Sequence, residues 1–232
     1  MEAGYRVLAV DHRGHGRGLR GVEPFRLSDC AEDAAALLRQ LDVPPVLAVG
    51  YSMGGPIAQL LAYRHPELVR GLVLSATAMS WSDRPRQRRA WRAVGLLGWA
   101  LRMFPNRVYT RALERAGISN EDIRDWLMAE LGRHDPAAMA EAGRELSRYD
   151  ARPWIGRLVP PTAVLRTTRD RLVSPRVQLE LHAAIPGATL FEVDGDHYAV
   201  GRHPGYVPAL LRALEDVCAR SDSANTEIGA AG

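Results

Sequence analysis

The stretch VLAVGYSMGGPIAQLLAYR, residues 46–64, decides the fold class and contains the strongest functional motif of the chain. Its first part, Val46–Tyr51, is almost uniformly apolar, which is typical of a strand covered on both faces of a parallel sheet. A helix is predicted over Gly54–Arg64, and Pro66 explains why it ends there. Between them stands the G-x-S-x-G motif of residues 50–54, in the strand–turn–helix setting that this motif requires.

Ser52, at the centre of the motif, is the candidate nucleophile. Glycines on both sides allow a sharp turn that lifts the serine oxygen above the edge of the sheet. The start of the next helix offers free N–H groups and the positive end of a helix dipole to a developing oxyanion. The alternative interpretation is a serine that only caps a helix in a turn of small residues.

Two further residues follow predicted strands and complete a candidate site. A serine hydroxyl needs a base, and the base needs an orienting group. Asp170 follows the strand predicted at Thr162–Thr167, and His197 follows the strand predicted at Ala188–Val193. Because the carboxyl ends of parallel strands lie at one edge of a sheet, we expect Ser52, Asp170 and His197 to meet there. The chain order Ser, Asp, His is the order expected of this architecture.

Other acids and histidines are weaker candidates for the same roles. Asp194 and Asp196 are so near His197 in sequence that they are better turn-formers than orienting groups. His12 and His15 have the H-x-x-H spacing of metal ligands, but no matching Cys, Glu or His cluster accompanies them. The glycine-rich turn that contains them also lacks the G-K-[ST] of a phosphate loop. We therefore expect no metal and no organic cofactor.

The composition is that of an ordinary globular protein of one domain or slightly more. Of 232 residues, 47% are hydrophobic and 25% are charged, and the net charge of +3 gives no support to a nucleic-acid partner. Two cysteines are too few for a disulfide framework and favour a reducing compartment. The N-terminus lacks the pattern of a signal peptide, and no apolar run reaches the length of a membrane span. We expect a cytoplasmic protein without membrane contact.

Strands and helices alternate along most of the chain, which predicts an α/β fold: a mostly parallel sheet with helices on both faces. Strands are predicted at Tyr5–Val10, Val46–Tyr51, Gly71–Ser75, Thr162–Thr167 and Ala188–Val193, and helices at Ser28–Leu41, Gly54–Arg64, Arg176–Ile185 and Val207–Ala219. Residues 80–150 contain no convincing strand and predict a helical lid inserted between two core segments, 1–79 and 151–219. Residues 220–232 are small and polar and predict a disordered tail. The lid is rich in arginine and tryptophan, and we expect its apolar face to line an acyl pocket; contact with an anionic membrane surface is the alternative.

These motifs resemble the α/β-hydrolase superfamily, and within it the bacterial esterase-like branch with a helical lid. The matching stretches are YRVLAVDHRGHGRG (5–18), residues 46–77 around the serine motif, PTAVLRTTRDRLVSPRVQLELHAAIPGA (161–188) and FEVDGDHYAVGRHP (191–204). By this resemblance Ser52 is the nucleophile, His197 is the general base and then the general acid, and Asp170 orients His197. Met53 would contribute its backbone N–H to the oxyanion hole.

The sequence departs from that family at its start. In the family, three strands precede the one that matches Tyr5–Val10, and the loop after the third supplies a second oxyanion donor. We therefore expect about 30–50 residues to be absent from this chain, and the natural protein to be longer. In the family, the third of these strands lies between the two strands that match Tyr5–Val10 and Val46–Tyr51. Its absence predicts either a gap beside Val46–Tyr51 or direct pairing of these two strands.

The expected function is hydrolysis of a small-molecule carboxylic ester by a serine hydrolase. Two alternatives stay open. One is acyl transfer or another reaction of the same three residues, such as cofactor-free peroxidation or carbon–carbon hydrolysis. The other is an inactive truncated chain or pseudo-enzyme. The substrate and the oligomeric state do not follow from the sequence.

Overall fold

The computed structural model describes residues 4–21, 23–81, 110–111, 114, 125–126, 128–130 and 132–230. The chain divides into two compact units. The first unit contains Met1–Gly4, Ala31–Ser80 and Tyr149–Gly232. The second contains Tyr5–Cys30 and Trp81–Arg148.

The first unit is built on a four-stranded parallel sheet. Its strands are β1 (Val46–Tyr51), β2 (Val69–Ser75), β3 (Thr162–Thr167) and β4 (Thr189–Val193), in the order β1-β2-β3-β4. The helices whose bounds lie in the described part of the chain are α1 (Leu27–Gln40), α2 (Gly54–Arg64), α3 (Pro136–Arg148), α4 (Pro175–Ala184), α5 (Ala199–Arg202) and α6 (Tyr206–Ala230). Short 3-10 turns occupy Pro66–Leu68 and Ile155–Arg157.

Helices cover both faces of this sheet, as the sequence predicts. A Cβ atom on Gly50 of β1 would lie 2.8 Å from the Cβ of Ala58 in α2, and one on Gly71 of β2 would lie 3.1 Å from Val217 in α6. Gly50 is paired with Leu74. Leu74 and Gly71 point to opposite faces, because side chains alternate along a strand. The prediction of an α/β fold with a parallel sheet is therefore confirmed.

The centre of the core is β2. Leu72, Val73 and Leu74 are fully buried, since helices cover the strand on both faces and strands flank it on both edges. Burial of each such side chain contributes about 1.5–3 kcal/mol relative to exposure. This buried strand ends at the carboxyl edge of the sheet, where its parallel neighbours β1, β3 and β4 also end.

The prediction of a strand at Tyr5–Val10 is wrong. In the described chain these residues form no strand and no β-bridge, and Val7 and Leu8 are 64% and 50% exposed. An apolar run becomes a strand only where its backbone groups find a pairing partner, which the run itself does not supply. Tyr5–Cys30 also belong to the second unit with Trp81–Arg148, whereas the sequence places them in the core segment 1–79.

The last helix is longer than the sequence predicts. α6 continues to Ala230, so the residues from 220 to 230, predicted as a disordered tail, are helical. Arg220 donates to the carbonyl of Thr162 at 2.9 Å and to Asp216 at 2.6 Å, and Ser221 is buried. These contacts stabilise the helix beyond Ala219, where composition alone predicts its end.

Most of the predicted lid lies outside the described residues. That holds for most of the arginine-rich segment 84–115, including Trp91 and Trp99. The described part contains α3, and an isolated antiparallel bridge joins Ser80 to Asp150. Among the described helices, none combines the length and the apolar character that crossing a membrane requires.

Candidate active site

Ser52 lies in a strained turn directly after β1. Its φ angle is +51°, in the left-handed region, which costs a residue other than glycine about 1–3 kcal/mol. Two hydrogen bonds hold this conformation: the Ser52 amide donates to the carbonyl of Ser75 at 3.0 Å, and the Thr77 hydroxyl donates to the carbonyl of Ser52 at 2.8 Å. The end of β2 therefore fixes the turn that follows β1.

The glycines of this turn are not equivalent. A Cβ atom on Gly50 would lie 2.6 Å from the carbonyl oxygen of Gly54, and one on Gly55 would lie 2.1 Å from Oγ1 of Thr77. A Cβ atom on Gly54 would meet nothing within 4 Å. The steric requirement thus falls on Gly50 and Gly55, although the G-x-S-x-G pattern counts Gly54 as its second glycine.

The three residues predicted to meet do meet. Oγ of Ser52 lies 2.9 Å from Nε2 of His197, and Nδ1 of His197 lies 2.7 Å from Oδ2 of Asp170. The three residues follow β1, β3 and β4, so the parallel register brings together positions that are 145 residues apart in the case of Ser52 and His197. A proton can pass between Ser52 and His197 along this line of hydrogen bonds.

Asp170 is enclosed by donors. Its Oδ1 accepts hydrogen bonds from the amides of Leu172 and Val173, both at 2.8 Å, and its Oδ2 accepts one from the Thr167 hydroxyl at 2.9 Å. Burial acts to raise the pKa of Asp170, but the hydrogen bonds from His197 and from these donors outweigh it and hold the pKa below its ordinary value. Asp170 therefore stays ionised and fixes the His197 ring with Nδ1–H as the donor.

Gln178 supports the Asp170 turn from α4, a role that the sequence motifs do not predict. Its side chain is fully buried; its amide nitrogen donates to the carbonyl of Val173 at 2.8 Å, and its amide oxygen accepts from the amide of Thr167 at 3.0 Å. It joins the two ends of the turn that contains Asp170. The available signal is a polar residue three positions before Leu181 on the buried face of an amphipathic helix.

Tyr51 packs beside the imidazole of His197, a contact that the sequence motifs also do not predict. Its ring centroid lies 5.5 Å from that of His197 and 6.2 Å from that of Tyr206. The Tyr51 hydroxyl is buried, and no described residue forms a hydrogen bond with it. Burial raises the pKa of Tyr51 well above its ordinary value.

Met53 stands at the start of α2, as the oxyanion assignment requires. It is the N-cap residue, with φ −59° and ψ −30°. Its amide donates no hydrogen bond to any other residue that the structure describes. The N–H group next to Ser52 is thus available to a ligand.

The nearby acids Asp194 and Asp196 have other partners. Asp194 accepts a hydrogen bond from the Thr168 hydroxyl at 2.8 Å, and Asp196 accepts one from the amide of Tyr198 at 2.9 Å. Neither takes the place of Asp170 at Nδ1 of His197. This agrees with their interpretation as turn residues.

An open cavity of about 540 Å³ lies beside His197. It is lined by Arg169, Arg171, Leu172, Asp196, His197 and Tyr198. All of these residues belong to the two loops that follow β3 and β4. All of them lie in the first unit, and a ligand in this cavity would contact the imidazole of His197.

The parallel sheet with helices on both faces defines an α/β protein. The comparisons with known proteins give the family. Residues 2–108 match the family model described as alpha/beta hydrolase fold. The chain is 30% identical over 196 residues to a pimeloyl-[acyl-carrier protein] methyl ester esterase of Neisseria meningitidis, which covers 82% of this chain and 74% of that protein. The chain belongs to the α/β-hydrolase family.

Other relatives carry different activities in their names. A 3-oxoadipate enol-lactonase of Acinetobacter baylyi is 27% identical over 219 residues, which are 93% of this chain and 79% of the relative. The crystal structure of a bromoperoxidase from Bacillus anthracis superposes with a TM-score of 0.79 at 20% identity, over 92% of this chain and 83% of the other. That structure supports the fold alone.

Proposed function

We propose that this protein is a serine hydrolase that cleaves a carboxylic ester of a small molecule through an acyl-enzyme. The observation that carries the proposal is the unbroken line of hydrogen bonds from Ser52 through His197 to Asp170, at 2.9 Å and 2.7 Å. A nucleophile, a base within reach of its proton and a group that orients the base are what acyl transfer to a serine needs.

In the first half of the reaction, Oγ of Ser52 attacks the ester carbonyl carbon while Nε2 of His197 takes the hydroxyl proton. The carbonyl oxygen becomes an oxyanion, and the Met53 N–H donates a hydrogen bond to it. His197 then gives the proton to the alcohol oxygen as the carbon–oxygen bond breaks. The alcohol leaves, and the acyl group stays on Ser52 as an ester.

In the second half, water enters in place of the alcohol. His197 takes a proton from the water, whose oxygen attacks the acyl carbon. Collapse of the second oxyanion breaks the bond to Ser52, and His197 returns the proton to Oγ. The carboxylic acid leaves, and the protein regains its starting protonation state.

Asp170 contributes electrostatics and orientation in both halves. His197 becomes an imidazolium each time it takes a proton, and a neighbouring carboxylate stabilises that cation. The lowered pKa of Asp170 supports this role, because a carboxyl group that were protonated at neutral pH would supply no charge.

The names of the relatives support an ester as the substrate. An enol-lactonase and a methyl ester esterase both act on a carbon–oxygen bond of a carboxylic ester.

The proposal also includes residues 80–150 as the lid that sets the acyl preference. It keeps the cytoplasm as the compartment, because neither Cys30 nor Cys218 forms a disulfide, which suits a reducing environment.

The test is hydrolysis of p-nitrophenyl esters from acetate to decanoate by the purified chain. Ser52→Ala and Asp170→Asn should each lower kcat/KM by about 10³-fold or more. The matched controls Ser223→Ala and Asp194→Asn, both at exposed positions, should leave it within about twofold. A Ser52→Ala variant that keeps a tenth of the activity would refute the mechanism. Added alcohol, with the ratio of transfer to hydrolysis measured, separates esterase from acyltransferase.

A further inference from the structure

The charges around the cavity beside His197 do not balance. Arg169 pairs with Asp194, with Nε and Oδ1 3.1 Å apart. Asp196, the acid among the residues that line the cavity, pairs with Arg202. Its charge is therefore already compensated. Asp170 is not among the lining residues, and both of its oxygens accept hydrogen bonds from His197, Thr167 and the amides that follow it.

Arg171 is the group that remains. It is exposed, it lines the cavity, and no other residue that the structure describes forms a hydrogen bond or ion pair with its side chain. Its position is fixed by the turn after β3, because the amides of Leu172 and Val173 are both bound to Asp170. The backbone that carries Arg171 is therefore fixed, and its side chain belongs to the wall that also contains the imidazole.

The reaction assigns this wall to one half of the substrate. In the mechanism proposed above, His197 delivers its proton to the oxygen of the leaving alcohol, so the alcohol half lies against the imidazole. The cavity that contains His197 and Arg171 then receives the alcohol half rather than the acyl half. Leu172 and Tyr198, 57% and 48% exposed, give the same wall apolar surface for a short carbon chain.

We propose that this cavity is a subsite for a carboxylate on the alcohol half of the ester, and that Arg171 binds it. The substrate class is an ester in which a hydroxycarboxylic acid supplies the alcohol half and keeps its carboxylate free. A guanidinium binds a carboxylate with two parallel hydrogen bonds, which fixes orientation as well as charge. The subsite rests on the proposed ester hydrolysis for its assignment to the alcohol half.

The experiment compares two esters of nearly equal shape. Acetoxyacetate releases glycolate, which carries the charge on the alcohol half; acetoxyacetamide releases the neutral glycolamide. Arg171→Gln should lower kcat/KM for acetoxyacetate about tenfold, mainly through KM, and leave acetoxyacetamide within about twofold. The control Arg176→Gln removes the same charge from an exposed position on α4 and should change neither ester. Higher salt should reduce the preference for acetoxyacetate in the wild type only, because the contact is exposed.

A second pair of esters tests the side of the charge. Monomethyl succinate carries its carboxylate on the acyl half, and methyl succinamate is its neutral counterpart. Arg171→Gln should leave their ratio unchanged. An effect on this pair, or equal losses for acetoxyacetate and acetoxyacetamide, would overturn the subsite.

Binding separates the subsite from the reaction. Calorimetry of acetoxyacetate with Ser52→Ala should give a Kd about tenfold lower than with the double variant Ser52→Ala, Arg171→Gln. Equal affinities, or no binding to either variant, would overturn the subsite whether or not the chain hydrolyses esters. Failure of the proposed function has a different signature: wild type would bind acetoxyacetate but would leave both esters of the first pair intact.

Discussion

The hydroxyl of Thr167 and the imidazole of His197 donate to the same oxygen, Oδ2 of Asp170, at 2.9 Å and 2.7 Å. Thr167 is the last residue of β3, so a strand end sets the position of the carboxylate that sets the position of the base. The other oxygen is held by two backbone amides. The orientation of His197 thus depends on groups that never reach a substrate.

Thr167→Val removes one of these donors while keeping the shape of the side chain. We expect kcat/KM for ester hydrolysis to fall by roughly tenfold, because a hydrogen bond to a charged acceptor contributes about 1.5–3 kcal/mol and part of this is recovered by rearrangement. Steady-state kinetics with a p-nitrophenyl ester measure it. Thr168→Val, which removes an exposed hydroxyl bonded to Asp194, is the control and should stay within twofold. Equal losses in the two variants would argue against a positioning role.

Asp170→Asn should change how stability depends on pH. The folded-state pKa of Asp170 lies below the ordinary value of about 3.9 for an unfolded chain, so its ionised form stabilises the fold above that value. This stabilisation is lost as the pH falls through the lower, folded-state pKa. The free energy of unfolding of the wild type should therefore fall more steeply than that of Asp170→Asn below about pH 4. Urea unfolding between pH 7 and pH 3 measures both; parallel curves would contradict the assigned pKa.

Gly55→Ala should damage the turn at Ser52, whereas Gly54→Ala should not. The new Cβ at position 55 would lie 2.1 Å from the Thr77 oxygen that donates to the Ser52 carbonyl. We expect a loss of stability of about 1–3 kcal/mol and a loss of activity of tenfold or more. Position 54 is open and lies in the first turn of α2, so alanine there should be neutral or stabilising by up to about 1 kcal/mol. Thermal unfolding of the two variants tests the difference, and a reversed order would contradict it.

Tyr51→Phe should stabilise the protein without loss of activity. The Tyr51 hydroxyl is buried and has no hydrogen-bond partner among the described residues, and such a group costs about 1–3 kcal/mol. The phenylalanine ring keeps the contact with His197. Chemical unfolding and ester kinetics check both statements. A tenfold loss of activity would instead give the hydroxyl a role in the reaction.

The sequence predicts β1, α2 and β3 at the bounds that the structure has, because each combines an apolar pattern with clear turn residues. It also brings Ser52, Asp170 and His197 together, because each follows a strand of one parallel sheet. Gln178 and Thr167 could not be predicted as supports of Asp170, since their hydrogen bonds depend on how the turn after β3 folds back on α4. The strand predicted at Tyr5–Val10 is not found, because an apolar run shows that a segment suits a strand but does not determine which segment it pairs with.

The reactivity of Ser52 can be measured without knowing the substrate. The purified chain is treated with a fluorophosphonate, and the intact mass is compared with that of Ser52→Ala. We expect a single adduct in the wild type and none in the variant, because the oxygen that displaces fluoride and becomes phosphonylated must be the one activated by His197. A wild-type chain that stays unmodified, or an adduct that persists in Ser52→Ala, would contradict a serine hydrolase built on Ser52, His197 and Asp170.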